Sequence, residues 1–179
     1  MVYLYKYKLK KAVNSNSLVF IRDALERHFP KESGEIEVFK DERGKPVTDR
    51  EDIKVSATHT GNIVICAISS RELGVDAQSV REGTKIERIA ARFFTENEQV
   101  RLKAGGDEAF YEIWCRKEAF SKLAGRGIAY GLKNIETVEV NGEYCTLIKG
   151  ERIIGGKIPE GYFALAGGEG DFVWIEIEE

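Results

Sequence analysis

The sequence is poor in residues that staple, ligate or anchor a chain. Its three cysteines, Cys66, Cys115 and Cys145, are far apart, odd in number and form no Cys-x-x-Cys pair. That spacing argues against a disulfide framework or a cysteine zinc site, and it suits a reducing compartment. Only two histidines, His28 and His59, stand in 179 residues. No apolar run approaches the roughly 18 residues of a membrane helix. The N-terminus alternates tyrosine with lysine where a signal peptide would be apolar, so a cytoplasmic protein is expected. There is no Gly-x-Ser-x-Gly elbow for serine hydrolysis and no P-loop. Cys66 lies in an apolar run that would bury it as an inert thiol. Net charge is −3 and the pI is near 5.6, so nothing global points to nucleic acid.

What remains is an ordinary globular composition, 42% hydrophobic and 32% charged, long enough for a full core. Residues 2–10 alternate and predict a half-buried strand, with Tyr3, Tyr5, Tyr7 and Leu9 inward. Lys6, Lys8 and Lys10, with Lys11, then form a solvated basic face or one that meets an acidic partner. Asn16 or Ser17 caps a helix to about His28 carrying Leu18, Ile21, Leu25 and Phe29, and Pro30 stops it. A strand at 35–39, a polar turn at 41–46 and a hairpin turning at Gly61-Asn62 follow, which sets His59 at a strand end. Gly74-Val75-Asp76-Ala77-Gln78 is another short strand.

The helical portion comes next. Thr84 is expected to cap one helix, and Thr95 with Glu98 makes a capping box for the next. Gly105-Gly106 breaks that helix, Asp107 caps its successor, and Gly125 or Gly127 ends it. Strands return at 135–140, 144–148 after an Asn141-Gly142 turn, 152–154, 162–166 and 172–177. The order describes an α+β fold of two unequal halves, residues 1–72 and 73–179. Each half has antiparallel strands on a helix, forming one compact pseudo-symmetric unit.

Chemistry concentrates at Trp114–Lys122. On a helix, Glu118 and Lys122 are neighbours at i, i+4, at the rim of a stripe formed by Phe110, Ile113, Phe120 and Ala124. An anion and a cation there can hold a metal and a phosphate together. The same spacing also makes an ordinary surface ion pair, worth about 0.3–0.5 kcal/mol. Asp76 is either a turn residue or a second carboxylate; with Glu118 and phosphate oxygens it would suit Mg²⁺. His59, in Thr58-His59-Thr60-Gly61, either grips a phosphate with the hydroxyls and turn N–H groups or is satisfied by local backbone. His28 lies near a helix C-terminus, where it complements the dipole.

In order and spacing these pieces resemble the 4′-phosphopantetheinyl transferase superfamily. Its pattern is a Gly-x-Asp strand followed, about forty residues on, by a Trp-x-x-Lys-Glu-Ala/Ser-x-x-Lys helix. Here those are Gly74-Val75-Asp76 and Trp114-x-x-Lys117-Glu118-Ala119-x-x-Lys122. Phe93-Phe94-Thr95-Glu96-Asn97-Glu98 is similar to the family's Phe-(Ser/Thr)-x-x-Glu helix start. Gly44-Lys45-Pro46 and Ser56-Ala57-Thr58-His59-Thr60-Gly61 are similar to segments of the surfactin-type branch. The resemblance implies transfer of phosphopantetheine from coenzyme A to a serine of an apo acyl or peptidyl carrier protein, with 3′,5′-ADP released. It also implies a pseudo-dimer of two halves with the active site in the cleft between them. Asp76 and Glu118 would ligate Mg²⁺, and Lys122 would steady phosphate charge. Thr58 and His59 would meet a coenzyme A phosphate, and Lys45 would lie near the adenosine end. Glu118 is also the candidate base.

Three departures stand out. Gln78 occupies a position that is often a second acid, Thr58 replaces a serine, and the first half is short. The family's basic clamp for coenzyme A has no clear match. A non-catalytic relative that binds coenzyme A or a carrier protein is therefore the alternative reading, and a plain interaction module is a third. A monomer is expected, because one chain would supply both walls of the cleft.

Overall fold

In the computed structural model of this chain, two sheets stack between two helices; it describes residues 1–12, 16–125, 131–137, 139–140, 143–144, 147–148 and 150–178. β1 (Val2–Lys8) precedes α1 (Ser17–His28) and the short strands β2 (Val38–Lys40) and β3 (Pro46–Thr48). β4 (Lys54–Thr60), β5 (Ile63–Ser69) and β6 (Leu73–Gln78) lead to α2 (Ile86–Phe93) and α3 (Glu96–Ala124). Then come β7 (Glu139–Val140), β8 (Glu143–Tyr144), β9 (Leu147–Ile148), β10 (Glu151–Ile158), β11 (Gly161–Gly167) and β12 (Phe172–Glu178). The first sheet runs β12-β1-β5-β4 and the second β6-β11-β10-β9.

Alternation along the strands serves separate cores on opposite faces. Ile21, Ala24 and Leu25 of α1 pack on Tyr5, Tyr7, Val64 and Cys66 of the first sheet. Phe110, Ile113 and Phe120 of α3 pack on Ala164 and Ala166 of the second. Between the sheets, Val2, Leu4, Ile63 and Ile65 meet Val75, Ala77, Phe163 and Leu165.

This stacking corrects the reading of β1. It is an interior strand between β5 and β12, and its even-numbered face is covered by the second sheet. Lys6 is therefore not solvated: it is buried, 3.1 Å from Glu160 and 3.3 Å from Glu176. Lys8 remains exposed. The β1–β12 pair is parallel, a departure from the all-antiparallel expectation, and β12 crosses the expected division at residue 72 to complete the first sheet.

The helix signals at Asn16, Thr95, Gly106 and Gly125 hold, and the one at Thr84 does not. Asn16 caps α1, accepting from Leu18 N. Thr95 Oγ1 accepts from Glu98 N while Glu98 Oε2 accepts from Thr95 N, so the capping box forms. Gly106, at φ 59°, interrupts the helical backbone within α3, and Gly125, at φ 62°, ends it. Thr84 does not cap α2; its hydroxyl donates to Arg81 O at 2.8 Å and meets Tyr111 Oη at 3.0 Å. Among the described residues of the strand expected over 135–140, β7 alone is strand, after a 3-10 turn at Leu132–Asn134. Cys145, Gly127 and the Asn141-Gly142 turn lie outside the described residues.

Two internal features fix α3. Lys117 and Glu98, both 0% exposed, form an ion pair at 2.7 Å. Lys117 Nζ also donates to Leu132 O and Ile135 O, each at 2.7 Å, and Glu98 Oε1 accepts from Thr137 N and Oγ1. Both buried charges are thus hydrogen-bonded, the condition under which such a pair is tolerated, and it ties residues 131–137 to the helix. Burial draws the Lys117 ammonium pKa down, against the pull of Glu98.

The second feature is the crossing of β6 over α3 at Gly74. A Cβ there would lie 2.1 Å from Ala119 O and 2.4 Å from Leu123 N. Both are backbone atoms, so a side chain cannot be absorbed by rotamer change. Gly74→Ala is expected to cost about 3 kcal/mol in urea unfolding; a variant as stable as the parent would contradict this close approach.

Candidate active site

β4 and β6 are terminal strands of different sheets, yet they lie side by side. Side-chain hydroxyls join them. Ser56 Oγ accepts from Val75 N at 3.1 Å, Thr58 Oγ1 from Ala77 N at 3.3 Å, and Thr60 Oγ1 from Ser79 N at 2.8 Å. Alternate residues of a strand share a face, so the Ser-x-Thr-x-Thr pattern builds a three-rung seam between the sheets.

α3 closes over this seam. Lys122 Nζ donates to Asp76 Oδ1 at 2.8 Å, Val75 O at 2.9 Å and Ala57 O at 3.4 Å, so one ammonium joins β4, β6 and the helix. Asp76 is 3% exposed. It also accepts from Thr58 Oγ1 at 3.1 Å and from Gln78 Nε2 at 3.0 Å. Glu118, one helical turn before Lys122, is half-buried, and its Oε1 has no hydrogen-bond partner among the described residues. Burial, reinforced by the nearby charge of Asp76 and opposed by Lys122, pushes the Glu118 carboxyl up to about 7.

These side chains line a cleft of about 870 Å³. Asp76, Glu118, Lys122, Lys45, Thr58 and His59 all reach it, so the candidates read from the sequence converge on one place. Their situations differ. His59 is exposed on β4, whereas the Thr58 hydroxyl is taken up by Asp76 and Ala77 N. Lys45 is ion-paired with Glu72. Lys40, Arg43 and Ser121 line the cleft as well, and none of them was among the candidates. The available signal for Lys40 and Arg43 was their place around a polar turn that contributes Lys45; Arg43 donates to Gly125 O at 3.4 Å, at the end of α3. Ser121 reads from sequence as a helix residue beside Lys122, with nothing to single it out. Lys117 belongs to the buried ion pair and does not enter the cleft.

The donor set fits a divalent cation. Two carboxylates face a single ammonium, and one carboxylate oxygen is unsatisfied. Among the described residues no group of three or more His, Cys, Asp or Glu converges, so protein ligands would be few. Mg²⁺ commonly keeps several waters and takes one or two carboxylates plus substrate phosphates. Cys66 and Cys115 are buried free thiols whose pKa values burial raises, which removes them as nucleophiles.

A model of the 4′-phosphopantetheinyl transferase superfamily matches residues 72–159. The chain is similar to the 4′-phosphopantetheinyl transferase Sfp of Bacillus subtilis, 32% identical over 119 residues, 64% of this chain and 52% of that protein. It is similar to the 4′-phosphopantetheinyl transferase HetI of Nostoc, 30% identical over 129 residues, 67% of this chain and 53% of that one. With the 4′-phosphopantetheinyl transferase gsp of Aneurinibacillus migulanus, identity is 36% over 93 residues, 50% of this chain and 38% of the relative. The chain spans about half the length of the curated relatives it matches.

The Glu118 carboxyl leads to a stability test. Its folded pKa, about 7, lies above the ordinary 4.5. Between those values the folded protein keeps a proton that the unfolded chain has released, so this group's contribution falls as pH rises through the window. Glu118→Gln removes that loss. In chelator, its advantage in urea unfolding is expected to be near zero at pH 4.5 and to grow to about 2 kcal/mol by pH 8, after allowance for partial exposure. An advantage independent of pH would show that Glu118 titrates normally.

Proposed function

We propose, on the footing of the family match over residues 72–159, that the chain is a 4′-phosphopantetheinyl transferase and transfers phosphopantetheine. The donor is coenzyme A, the acceptor is a serine of an apo acyl or peptidyl carrier protein, and the product left behind is 3′,5′-ADP. One observation carries the reading. The Gly-x-Asp strand and the Trp-x-x-Lys-Glu helix meet where Lys122 grips Asp76, with Glu118 one turn away and unsatisfied. Conserving each motif's local form without that meeting would make no site.

In the transfer, the serine oxygen forms a bond to phosphorus, the pyrophosphate P–O bond to 3′,5′-ADP breaks, and the serine proton must go to a base. Asp76 and Glu118 would hold Mg²⁺, which when bound neutralises charge on the pyrophosphate oxygens. Lys122 adds a fixed positive charge beside them. Lys40, Arg43, Lys45 and His59 make the rest of the cleft suited to a polyanionic co-substrate. Glu118, whose Oε1 has no hydrogen-bond partner among the described residues, is the candidate to accept that proton.

A monomer belongs to the same reading, since one chain supplies Lys45 and His59 as well as Asp76, Glu118 and Lys122 to the lining of the cleft. So does a reducing, cytoplasmic setting, which suits free Cys66 and Cys115. Among the described residues, no helix is long and apolar enough to cross a membrane.

Incubation with coenzyme A, Mg²⁺ and apo fatty-acid or peptidyl carrier proteins, read by intact mass, tests the proposal. A mass gain of one phosphopantetheine is expected, and Glu118→Ala should lower the rate by about a hundredfold or more without unfolding the protein. Tight coenzyme A binding with no gain on any carrier, with Mg²⁺ or Mn²⁺, would replace the transferase reading by the binding-only one.

A further inference from the structure

Asp76 is held from three sides. Lys122 reaches it from α3, Gln78 from its own strand and Thr58 from β4. Thr58 stands apart because its hydroxyl is engaged in both directions. It accepts from Ala77 N at 3.3 Å and donates to Asp76 Oδ1 at 3.1 Å. A hydroxyl has one proton to give, and with an N–H on its acceptor side that proton's direction is set by the backbone of β6. Thr58 is itself buried, 6% exposed, so solvent offers no easy substitute. Thr60 makes the same kind of rung on the same strand, accepting from Ser79 N at 2.8 Å, but its other partner is the Ser79 hydroxyl.

We propose that Thr58 is a positioning residue, which transmits the register of the β4–β6 seam to Asp76. It holds the carboxylate in the orientation that receives Lys122 and, on the transferase reading, a divalent cation. Lys122 alone cannot do this as firmly, because its side chain is 32% exposed and ends a flexible four-carbon stem. Shape at position 58 is not sufficient either: valine would fill the space but leave Ala77 N and Asp76 Oδ1 each short of a partner. The hydroxyl proton is directed to Asp76, so the role proposed for Thr58 is exercised at the cation end of the cleft.

The test compares Thr58→Val, Thr58→Ser and the neighbouring rung Thr60→Val, each alone and with Asp76→Ala. In metal-free buffer with chelator, the effect of Thr58→Val on the unfolding equilibrium constant should shrink by about threefold or more when Asp76 is absent. The effect of Thr60→Val should not change. Binding of Mn²⁺, followed by the EPR signal of the free ion, should weaken about tenfold in Thr58→Val. Thr58→Ser and Thr60→Val should bind like the parent. Additive behaviour of Thr58→Val with Asp76→Ala, or equal weakening of Mn²⁺ binding in both valine variants, would overturn the positioning role. Absence of Mn²⁺ binding by the unaltered protein would count against the cation reading alone, and the metal-free comparison would still decide on Thr58.

Discussion

The two sheets meet along β4 and β6, and what crosses there is a row of side-chain hydroxyls. Paired strands would sit about 4.8 Å apart, N–H to carbonyl. Each hydroxyl rung instead places a side chain in the gap. The carbonyls of Ala57 and Val75 can therefore both turn to a third party, and the Lys122 ammonium takes them. Asp76 and Thr58 lie at the same point of the seam, and Glu118 follows from the helix that brings Lys122. The cleft is thus a consequence of how the sheets are joined. Its chemistry sits where the backbone is least self-sufficient.

Neighbouring residues on α3 have opposite duties. Lys117 turns inward to Glu98 and to carbonyls of the segment after the helix, while Glu118 turns to the cleft. Lys117 has Glu98 and Lys122 has Asp76, which leaves Glu118 as the carboxylate without a cation of its own. Burial, with the charge of Asp76 added to it, raises its pKa. A polyanion alone would worsen this imbalance. A polyanion arriving with a divalent cation would relieve it, so the site is electrostatically incomplete in a way that favours such a pair.

The parts of this arrangement that were legible in the sequence are local ones. Thr95 with Glu98, the glycines at 106 and 125, and the Gly61-Asn62 turn announce themselves within a few residues, because caps and turns are decided at that range. Asp76, Glu118 and Lys122 could be singled out by spacing, but their meeting depends on Gly74, whose role appears only when β6 crosses α3. Ser56, Thr58 and Thr60 look like the wet face of an edge strand; only a second sheet turns that face into a seam. Lys6 misled for the same reason. Its alternation with tyrosines is real, but the covering of its face comes from strands far along the chain. Thr84 offered a cap and was drawn off by Tyr111, a competition invisible at short range.

The pairing of β1 with β12 has a consequence for biosynthesis. Lys6 and Glu176 are 170 residues apart. The residues between them must leave the ribosome before β1 acquires its outer neighbour, so closing the first sheet is a step of high contact order. Until then β1 is an open edge, with unpaired backbone groups that could recruit a strand of another chain. Positive charge on such an edge deters that pairing. Lys6, which ends between two glutamates, and Lys8, which stays in water, would spend the wait as guards of a nascent strand.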